Sequence, residues 1–443
     1  MDQVHQYIGL EPLHLFITCS IPLIFYMIYH AIFFPLFRHD LRKVPGPILA
    51  KFTNLYRLLV VRSGDAHEHH IQLHDHYGPF VRLGPNNVSV GCPTGIPILY
   101  NARNRHPKSD FYPVMGNVAH GRVVPTIFST QDESVHEVMK RPIAQVYAMT
   151  NLKTYEPLVE STETVLFHKL ERLAYEGRVF DLGTWLHWFA TDVILELTFG
   201  RRMGFLDREE DIDGILETIE NRFRYVAIVG QMPWLDRFLH KNTVIAYFSG
   251  IFSKQKNVQA GSDSTAITLT SVIYHLMKNP ESMKALLAEL DGAKLSSPIP
   301  WAAAHRLPYL DSCIKEALRM TPAIGIPLER VSPPQGMEIC GRRFESGTVL
   351  GVNAWVVHKS EDIFGADAAH WRPERWIEAN DKKKKEMERT LFAFGGGSRV
   401  CLGKNISYLE MYKVIPELLI RFKVCYLVNP IFSLIKPWNM LMT

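Results

Sequence analysis

Near the far end of the 443-residue chain, Phe394-Gly395-Gly396-Gly397-Ser398-Arg399-Val400-Cys401-Leu402-Gly403 sets one cysteine behind a glycine-rich loop. An apolar helical run follows (Ile406, Leu409, Met411, Val414, Ile415, Leu418). The spacing puts the sulfur near a helix N-terminus, where the macrodipole and unpaired N–H groups favour thiolate over thiol. A thiolate in that position binds a soft metal or attacks an electrophile. Gly395 to Gly397 can take backbone angles closed to other residues and let a flat ligand lie against the main chain. Gly403 leaves the first helical turn bare for the same approach. Phe394 is placed to cover the sulfur, and Arg399 can reach an anionic group on whatever the sulfur holds. The alternative is an ordinary glycine-rich turn with Cys401 as a small core residue, since unpaired cysteine is among the most buried residue types.

The full pattern Phe-x-x-Gly-x-Arg-x-Cys-x-Gly resembles the heme-ligand loop of the cytochrome P-450 family, the heme-thiolate monooxygenases. The resemblance implies a heme b cofactor with Cys401 as the axial iron ligand. It also implies Arg399 as a propionate partner and Phe394, Gly397 and Gly403 in the shell around the heme. The fold it implies is mainly α with small β-sheets, carrying an N-terminal transmembrane helix.

Composition is ordinary for a globular chain long enough for a large core: 47% of residues are hydrophobic and 21% charged. A net charge of +4, without basic–aromatic interleaving, gives no reason to expect nucleic acid as a partner. The six cysteines (19, 92, 313, 340, 401 and 425) are scattered, with no Cys-x-x-Cys pair, so no disulfide scaffold or zinc ribbon is expected. A reducing, cytosol-facing environment suits a lone ligand thiolate.

From Leu13 to Phe37 the chain carries no acidic or basic side chain except His14 and His30. About 20 apolar residues suffice to cross a bilayer as a helix. Arg38, Arg42 and Lys43 follow this stretch while Asp2 and Glu11 precede it, which places the bulk of the chain on the cytosolic side. A cleaved signal peptide lacks support, because there is no basic n-region and no small-residue cleavage site. Residues 1–44 thus read as membrane anchor and hinge, ending at Pro45-Gly46-Pro47, and 45–443 as the heme-binding domain. The expected setting is the endoplasmic reticulum membrane, single-pass, with the catalytic domain cytosolic.

His67, His69, His70, His74 and His76 crowd one segment, but Ile71 stands where the zinc-protease pattern would need histidine. The segment reads as a solvated amphipathic helix. Phe80 to Leu83 and Val88 to Val90 read as a first β-hairpin. Asp132 to Met149 is helical in pattern, and the family carries Trp-x-x-x-Arg on this helix to hold a propionate. Here His136 and Lys140 take those spacings, with Arg141 adjacent, so the charge is kept and the bidentate fork is moved or lost. Trp185 to Gly204 reads as an apolar core helix.

Ala260-Gly261-Ser262-Asp263-Ser264-Thr265 combines glycine with hydroxyl residues that can bond to carbonyls a turn back and loosen a helix. The family seats dioxygen in such a notch, and the resemblance gives Asp263, Ser264 and Thr265 the proton-relay positions. Ser264 replaces the usual threonine and loses the methyl that restrains the rotamer. Only about 25 residues separate Trp234 from Ala260, where the family has several tens forming further helices, and Lys254-Gln255-Lys256-Asn257 is too polar for a buried half-helix. The central region is therefore expected to be incomplete. So is the C-terminus, which lacks the family's closing hairpin after Phe422.

Glu316 and Arg319 share a helix face, and Trp371-Arg372-Pro373-Glu374-Arg375-Trp376 resembles the family segment whose arginine joins them. The three side chains Glu316, Arg319 and Arg375 are expected to brace the heme loop. Arg330 inherits a propionate role, and Lys382 to Lys385 read as a solvated loop. Partners implied by the resemblance are O2, a small lipophilic substrate and an NADPH-dependent reductase on the same membrane, for which Lys140, Arg141, Lys404 and Lys413 form a candidate docking face. The motifs look most like membrane-anchored fungal enzymes of secondary metabolism, such as the pisatin demethylase-like group. Three rivals stay open: a truncated heme binder with little activity, a heme-thiolate isomerase or dehydratase, and a metal hydrolase built on the histidine cluster.

Overall fold

Apolar residues at helical spacing fill most of the chain, and short alternating runs flanked by glycine and proline account for the rest. The computed structural model describes residues 38–119, 122–241 and 261–424. Helices α1 (Leu55–Ser63) and α2 (Ala66–Tyr77) lead into strands β1 (Phe80–Gly84) and β2 (Asn87–Val90). A second hairpin, β3 (Asn117–Ala119) with β4 (Arg122–Val124), precedes α3 (Glu133–Ala144), α4 (Leu152–Tyr175), α5 (Leu182–Phe199) and α6 (Ile215–Val229). Then come α7 (Ser262–Lys278), α8 (Pro280–Ala293) and α9 (Pro308–Met320), followed by β5 (Leu328–Val331), β6 (Met337–Ile339), β7 (Arg342–Phe344) and β8 (Val349–Val352). Last are α10 (Asp381–Thr390) and α11 (Lys404–Arg421).

Local chemistry sets several of these boundaries. The Asp132 side chain accepts from the amides of Ser134 and Val135 and caps α3, while Asp181 accepts from Gly183 and caps α5. Helix α5 stops at Gly200, whose φ of 69° is left-handed. Pro280 ends α7 and opens α8 at its first position.

The larger sheet runs in the order β1-β2-β8-β5. β1 and β2 are antiparallel, β2 and β8 parallel, and β8 and β5 antiparallel with Arg330 opposite Leu350. This sheet brings residues 80–90 beside residues 328–352, and a further bridge joins Lys108 to Arg330. The main core lies among α4, α5, α7, α9 and α11, where Phe167, Leu186, Phe189, Leu269, Leu409 and Ile415 are wholly buried. Each contributes about 1.5–3 kcal/mol through area removed from water. Cys401 thus sits at the N-terminal end of a helix held on several sides.

Behind the Cys401 loop, the Glu316 carboxylate takes Arg319 at 2.7 Å, Arg375 at 3.0 Å and the Trp376 indole N–H at 2.9 Å. Arg319 Nη1 donates to the His358 carbonyl, and His358 Nδ1 donates to the Arg319 carbonyl. The other ring nitrogen, Nε2, accepts from the amide of Phe392, two residues before Phe394. The brace therefore reaches the Cys401 loop through one histidine, held neutral because burial pushes its pKa down to about 3.

Four expectations are corrected. The histidine-rich helix is not solvated: His67, His70 and His74 are buried, because α2 lays that face on the sheet and on the α-helical turn after Asn353. Burial lowers His70 to about 3 and His74 to about 4, so both are neutral. His74 spends its two ring nitrogens on the Gly78 carbonyl and the Ser89 hydroxyl, and His70 Nδ1 accepts from Asn353. Among the described residues no group of three or more His, Cys, Asp or Glu side chains is placed to hold a metal, which leaves the hydrolase reading without a site. Lys382 to Lys385 are helical, not loop, since the Asn380 side chain caps α10 and Met387 anchors it against Ile363, Phe364 and Trp376. Finally, Cys92 and Cys340 form a disulfide, a contact between residues 248 apart that scattered spacing could not show. The fourth concerns Lys413, expected on a docking face. It is wholly buried, with Nζ 2.8 Å from Glu160 and 2.6 Å from the Ile299 carbonyl.

Among the described residues no helix is long and apolar enough to cross a membrane. The anchor expected over Leu13–Phe37, the polar run Lys254–Asn257 and the C-terminal stretch from Cys425 all lie outside the described residues.

Replacing Glu316 with glutamine keeps the shape but strands the buried Arg319 guanidinium and leaves Arg375 with Asp367 as its carboxylate partner. The E316Q protein is expected to lose about 3 kcal/mol or more of unfolding free energy. An unchanged urea midpoint would show that the brace contributes nothing.

Candidate active site

The loop before α11 closes on itself. The Cys401 amide donates to the Phe394 carbonyl at 2.9 Å, and the Gly395 amide donates to the Phe392 carbonyl at 2.9 Å. Gly395 and Gly397 hold φ at 69° and 65°, and a Cβ on Gly397 would stand 2.0 Å from the Tyr100 carbonyl oxygen. No side chain fits there. Gly403 differs: a Cβ would meet only the Cys401 sulfur, at 3.9 Å, so the approach to the sulfur stays bare. The Phe394 ring lies 5.4 Å from that of Tyr408.

The amides of Gly403 and Lys404, at the head of α11, lie on the sulfur's side and favour its charged form, as a helix N-terminus does. Burial pushes the thiol pKa up and the two amides offset it only in part, so the net shift is upward, against the depressed value expected from the helix terminus alone. Cys401 is nonetheless exposed by area. Both facts hold when the thiol faces a concavity walled by protein. A coordinating metal ion deprotonates such a thiol outright.

A cationic wall stands beside this loop. Helix α3 presents Glu133, His136 and Lys140 on one face, at spacings of three and four residues. Lys140 Nζ donates to the Ser398 carbonyl at 2.7 Å, so it grips the loop. Arg399 pairs with Glu133 at 2.7 Å and donates to the Ile127 carbonyl, while its buried Nη2 lacks a well-directed acceptor. Arg330 donates to the Tyr112 hydroxyl and the Glu329 carbonyl and lies over the Tyr100 ring at 5.0 Å. His136 is buried, and burial followed by the charge of Arg399 pushes its pKa to about 4, leaving it a neutral donor. Lys108, which the sequence reading passed over, is also buried in this wall. Its segment, Arg105-His106-Pro107-Lys108, is polar and has no periodicity to mark it as interior.

The acid–alcohol run begins α7. Gly261 caps it, Ala260 lies outside the described residues, and Asp263 and Thr265 are buried while Ser264 is half-buried. The Thr265 hydroxyl bonds back to the Gly261 carbonyl at 3.1 Å and lies 3.0 Å from the Ser407 hydroxyl on α11. That contact ties the run to the helix that carries Cys401. Asp263 Oδ1 is 2.5 Å from His187 Nε2 on α5, and its Oδ2 is buried with no partner. Neither His187 nor Ser407 carries a local sequence signal, because both contacts join segments far apart in the chain.

The residues present fit a heme. A thiol in a concavity, bare glycine backbone and an incompletely satisfied Arg399 stand beside a wall with a surplus of positive charge. Lys108, Lys140, Arg330 and Arg399 face Glu133 as the nearby carboxylate. A flat ligand with two carboxylates meets each of these demands. Cys401 would take the iron, and Arg399, Arg330, His136 and Lys140 stand where propionates would be held.

Comparison with known proteins points the same way. The family model Cytochrome P450 matches residues 45–259 and 255–443. The cytochrome P450 monooxygenase cicH of Emericella nidulans is 40% identical over 449 positions, covering 89% of this chain and 90% of its own. A cytochrome P450 monooxygenase of Aspergillus terreus is 38% identical, with 88% and 92% covered, and pkfB of Emericella nidulans is 36% identical, with 86% and 85% covered. The 449 aligned positions exceed what 89% of this chain supplies, so several tens of positions in cicH have no counterpart here. Sequence motif, site chemistry and relatives together establish that the chain belongs to the cytochrome P450 family and is an oxygen-incorporating oxidoreductase.

Proposed function

We infer that the chain is a heme-thiolate monooxygenase that inserts one atom of O2 into a small lipophilic substrate in fungal secondary metabolism. The observation that carries this is the joining of two segments. Cys401 stands at the head of α11, and the Thr265–Ser407 contact holds the Asp263-Ser264-Thr265 run against that helix.

Heme b bound through Cys401 supplies oxygen activation, with thiolate electron density favouring O–O cleavage. The protein's own residues do the rest. Gly397 and Gly403 keep backbone clear of the ring, Phe394 shields the sulfur, and the Gly403 and Lys404 amides tune its basicity. Arg330, Arg399, His136 and Lys140 orient the propionate edge. Asp263, hydrogen-bonded to His187, and the adjacent Ser264 are the positions from which protons would be relayed. Thr265 is already committed to Gly261 and Ser407, so it fixes the run instead of carrying protons.

A second reading has support of its own. The positions of cicH without counterpart here are consistent with a shortened distal wall, which would leave a heme binder with little turnover. An isomerase or dehydratase is less well supported, because it has no use for the acid–alcohol run. The reduced, carbon monoxide-treated protein is expected to show a strongly red-shifted Soret band and to form oxidised product with reductase and NADPH. The shifted band without product supports the shortened binder, and product without NADPH supports the isomerase. In C401A the band is expected to vanish; an unaltered band and rate would sink the thiolate assignment.

Electrons are proposed to come from an NADPH-dependent reductase docking on the face with Arg141 and Lys404, both exposed, and the half-buried Lys140. Lys413 is no part of that face. Charge reversal at Arg141 and Lys404 is expected to slow heme reduction at low salt and to matter less at high salt. Equal rates at both salt levels would remove this docking face.

The endoplasmic reticulum membrane is the proposed location, through an anchor over Leu13–Phe37 with the catalytic domain cytosolic. Apolar side chains left outward support a membrane-facing end: Ile48, Phe52 and Leu55 near α1, and Trp234, Phe238 and Leu239 just after α6, which packs on α1. The full chain is expected to stay with microsomal vesicles through an alkaline carbonate wash. Release into the wash would discard the anchor.

A further inference from the structure

Lys108 is 4% exposed, and among the described residues no carboxylate lies within ion-pair distance of it. Its Nζ donates to the Phe128 carbonyl at 2.6 Å and lies 4.1 Å from the ring centres of both Tyr112 and Phe128. One of three ammonium donors is therefore satisfied by the protein. Its backbone is bridged to Arg330, with the Val331 amide donating to the Pro107 carbonyl, so two cations stand opposite each other across a sheet edge. Like charges in that relation repel. Arg330 has no carboxylate either: the neighbouring Glu329 is turned away to Arg57 and Ser109. The Tyr112 ring lies between the two, 4.1 Å from Lys108 and 5.9 Å from Arg330. Aromatic faces return less for a desolvated cation than burying an unpaired ammonium costs. Burial, then Arg330 and Arg399, drive its pKa well down, as expected for a cation kept from its counterion.

We propose that Lys108 is a heme-positioning residue, which with Arg330 shares one propionate carboxylate between the sheet edge and the Tyr112–Phe128 pair. This rests on the heme reading above and adds to it a lysine that the Cys401 motif does not contain. The carboxylate would take the open ammonium donors and remove the repulsion across the bridge.

Methionine at 108 keeps the length and apolar stem that pack between the two rings. Wild type and K108M are loaded with heme or with heme dimethyl ester, whose propionates carry no charge, and transfer to a heme scavenger is timed. K108M is expected to release heme about tenfold faster or more, the scale of a lost charge-assisted hydrogen bond, and to release the ester at the wild-type rate. Heme-free K108M is expected to unfold at the same or higher urea concentration than heme-free wild type, because the stranded cation is gone. Equal acceleration for heme and ester would make Lys108 a packing residue only, and no acceleration would overturn its role; either leaves the heme reading intact. Wild type that takes up neither pigment overturns both together.

Discussion

The two amides that Gly403 and Lys404 direct at the Cys401 sulfur set the terms for everything around them. They exist because α11 starts there, and α11 is fixed because its apolar face is buried against α4, α7 and α9. Burial nevertheless holds the thiol above its ordinary pKa. The loop thus presents a ligand in position without stabilising the bare thiolate, and the missing stabilisation is what a bound metal ion supplies. Sulfur geometry is prepared by the fold, whereas sulfur charge is left to the cofactor.

The same division recurs along the cationic wall. Glu133 answers part of the charge on Arg399, a carbonyl answers Lys140, and rings answer Arg330 and Lys108, but no full set of counterions is built in. Contrast the brace, where one carboxylate serves two arginines and an indole and all are buried together. A satisfied ionic network fixes geometry, and an unsatisfied one selects a ligand. The His358 link from Arg319 to the Phe392 amide couples the two, so the rigid network holds the loop against which the needy one must work.

What the sequence disclosed follows from range. The Cys401 loop, the Glu316–Arg319 pair and the strands 80–90 were legible because their chemistry is local: glycine angles, a three-residue helical spacing, period-two alternation. The buried histidines of α2 were misread because a helix with polar residues on several faces looks solvated until a sheet covers one of them. Cys92–Cys340, His187–Asp263 and Lys108–Arg330 join residues tens to hundreds of positions apart, and no spacing rule reaches that far. Lys413 shows the converse error. A lysine on an amphipathic helix was taken as surface, yet Glu156, Glu160 and Glu163 converge on it from α4 and make burial tolerable.

The distribution of support also bears on how the chain would keep its cofactor. The proximal side is over-determined: brace, disulfide-tethered sheet, capped α3 and a loop closed by its own backbone. Among the described residues, the first turn of α7 is held by Thr265 to Ser407 and by Asp263 to His187. The contacts that would grip heme thus belong to the proximal side and the cationic wall, and those that would serve the proton path to the first turn of α7. Heme retention and turnover are separable properties of this architecture, and the first is much the better protected.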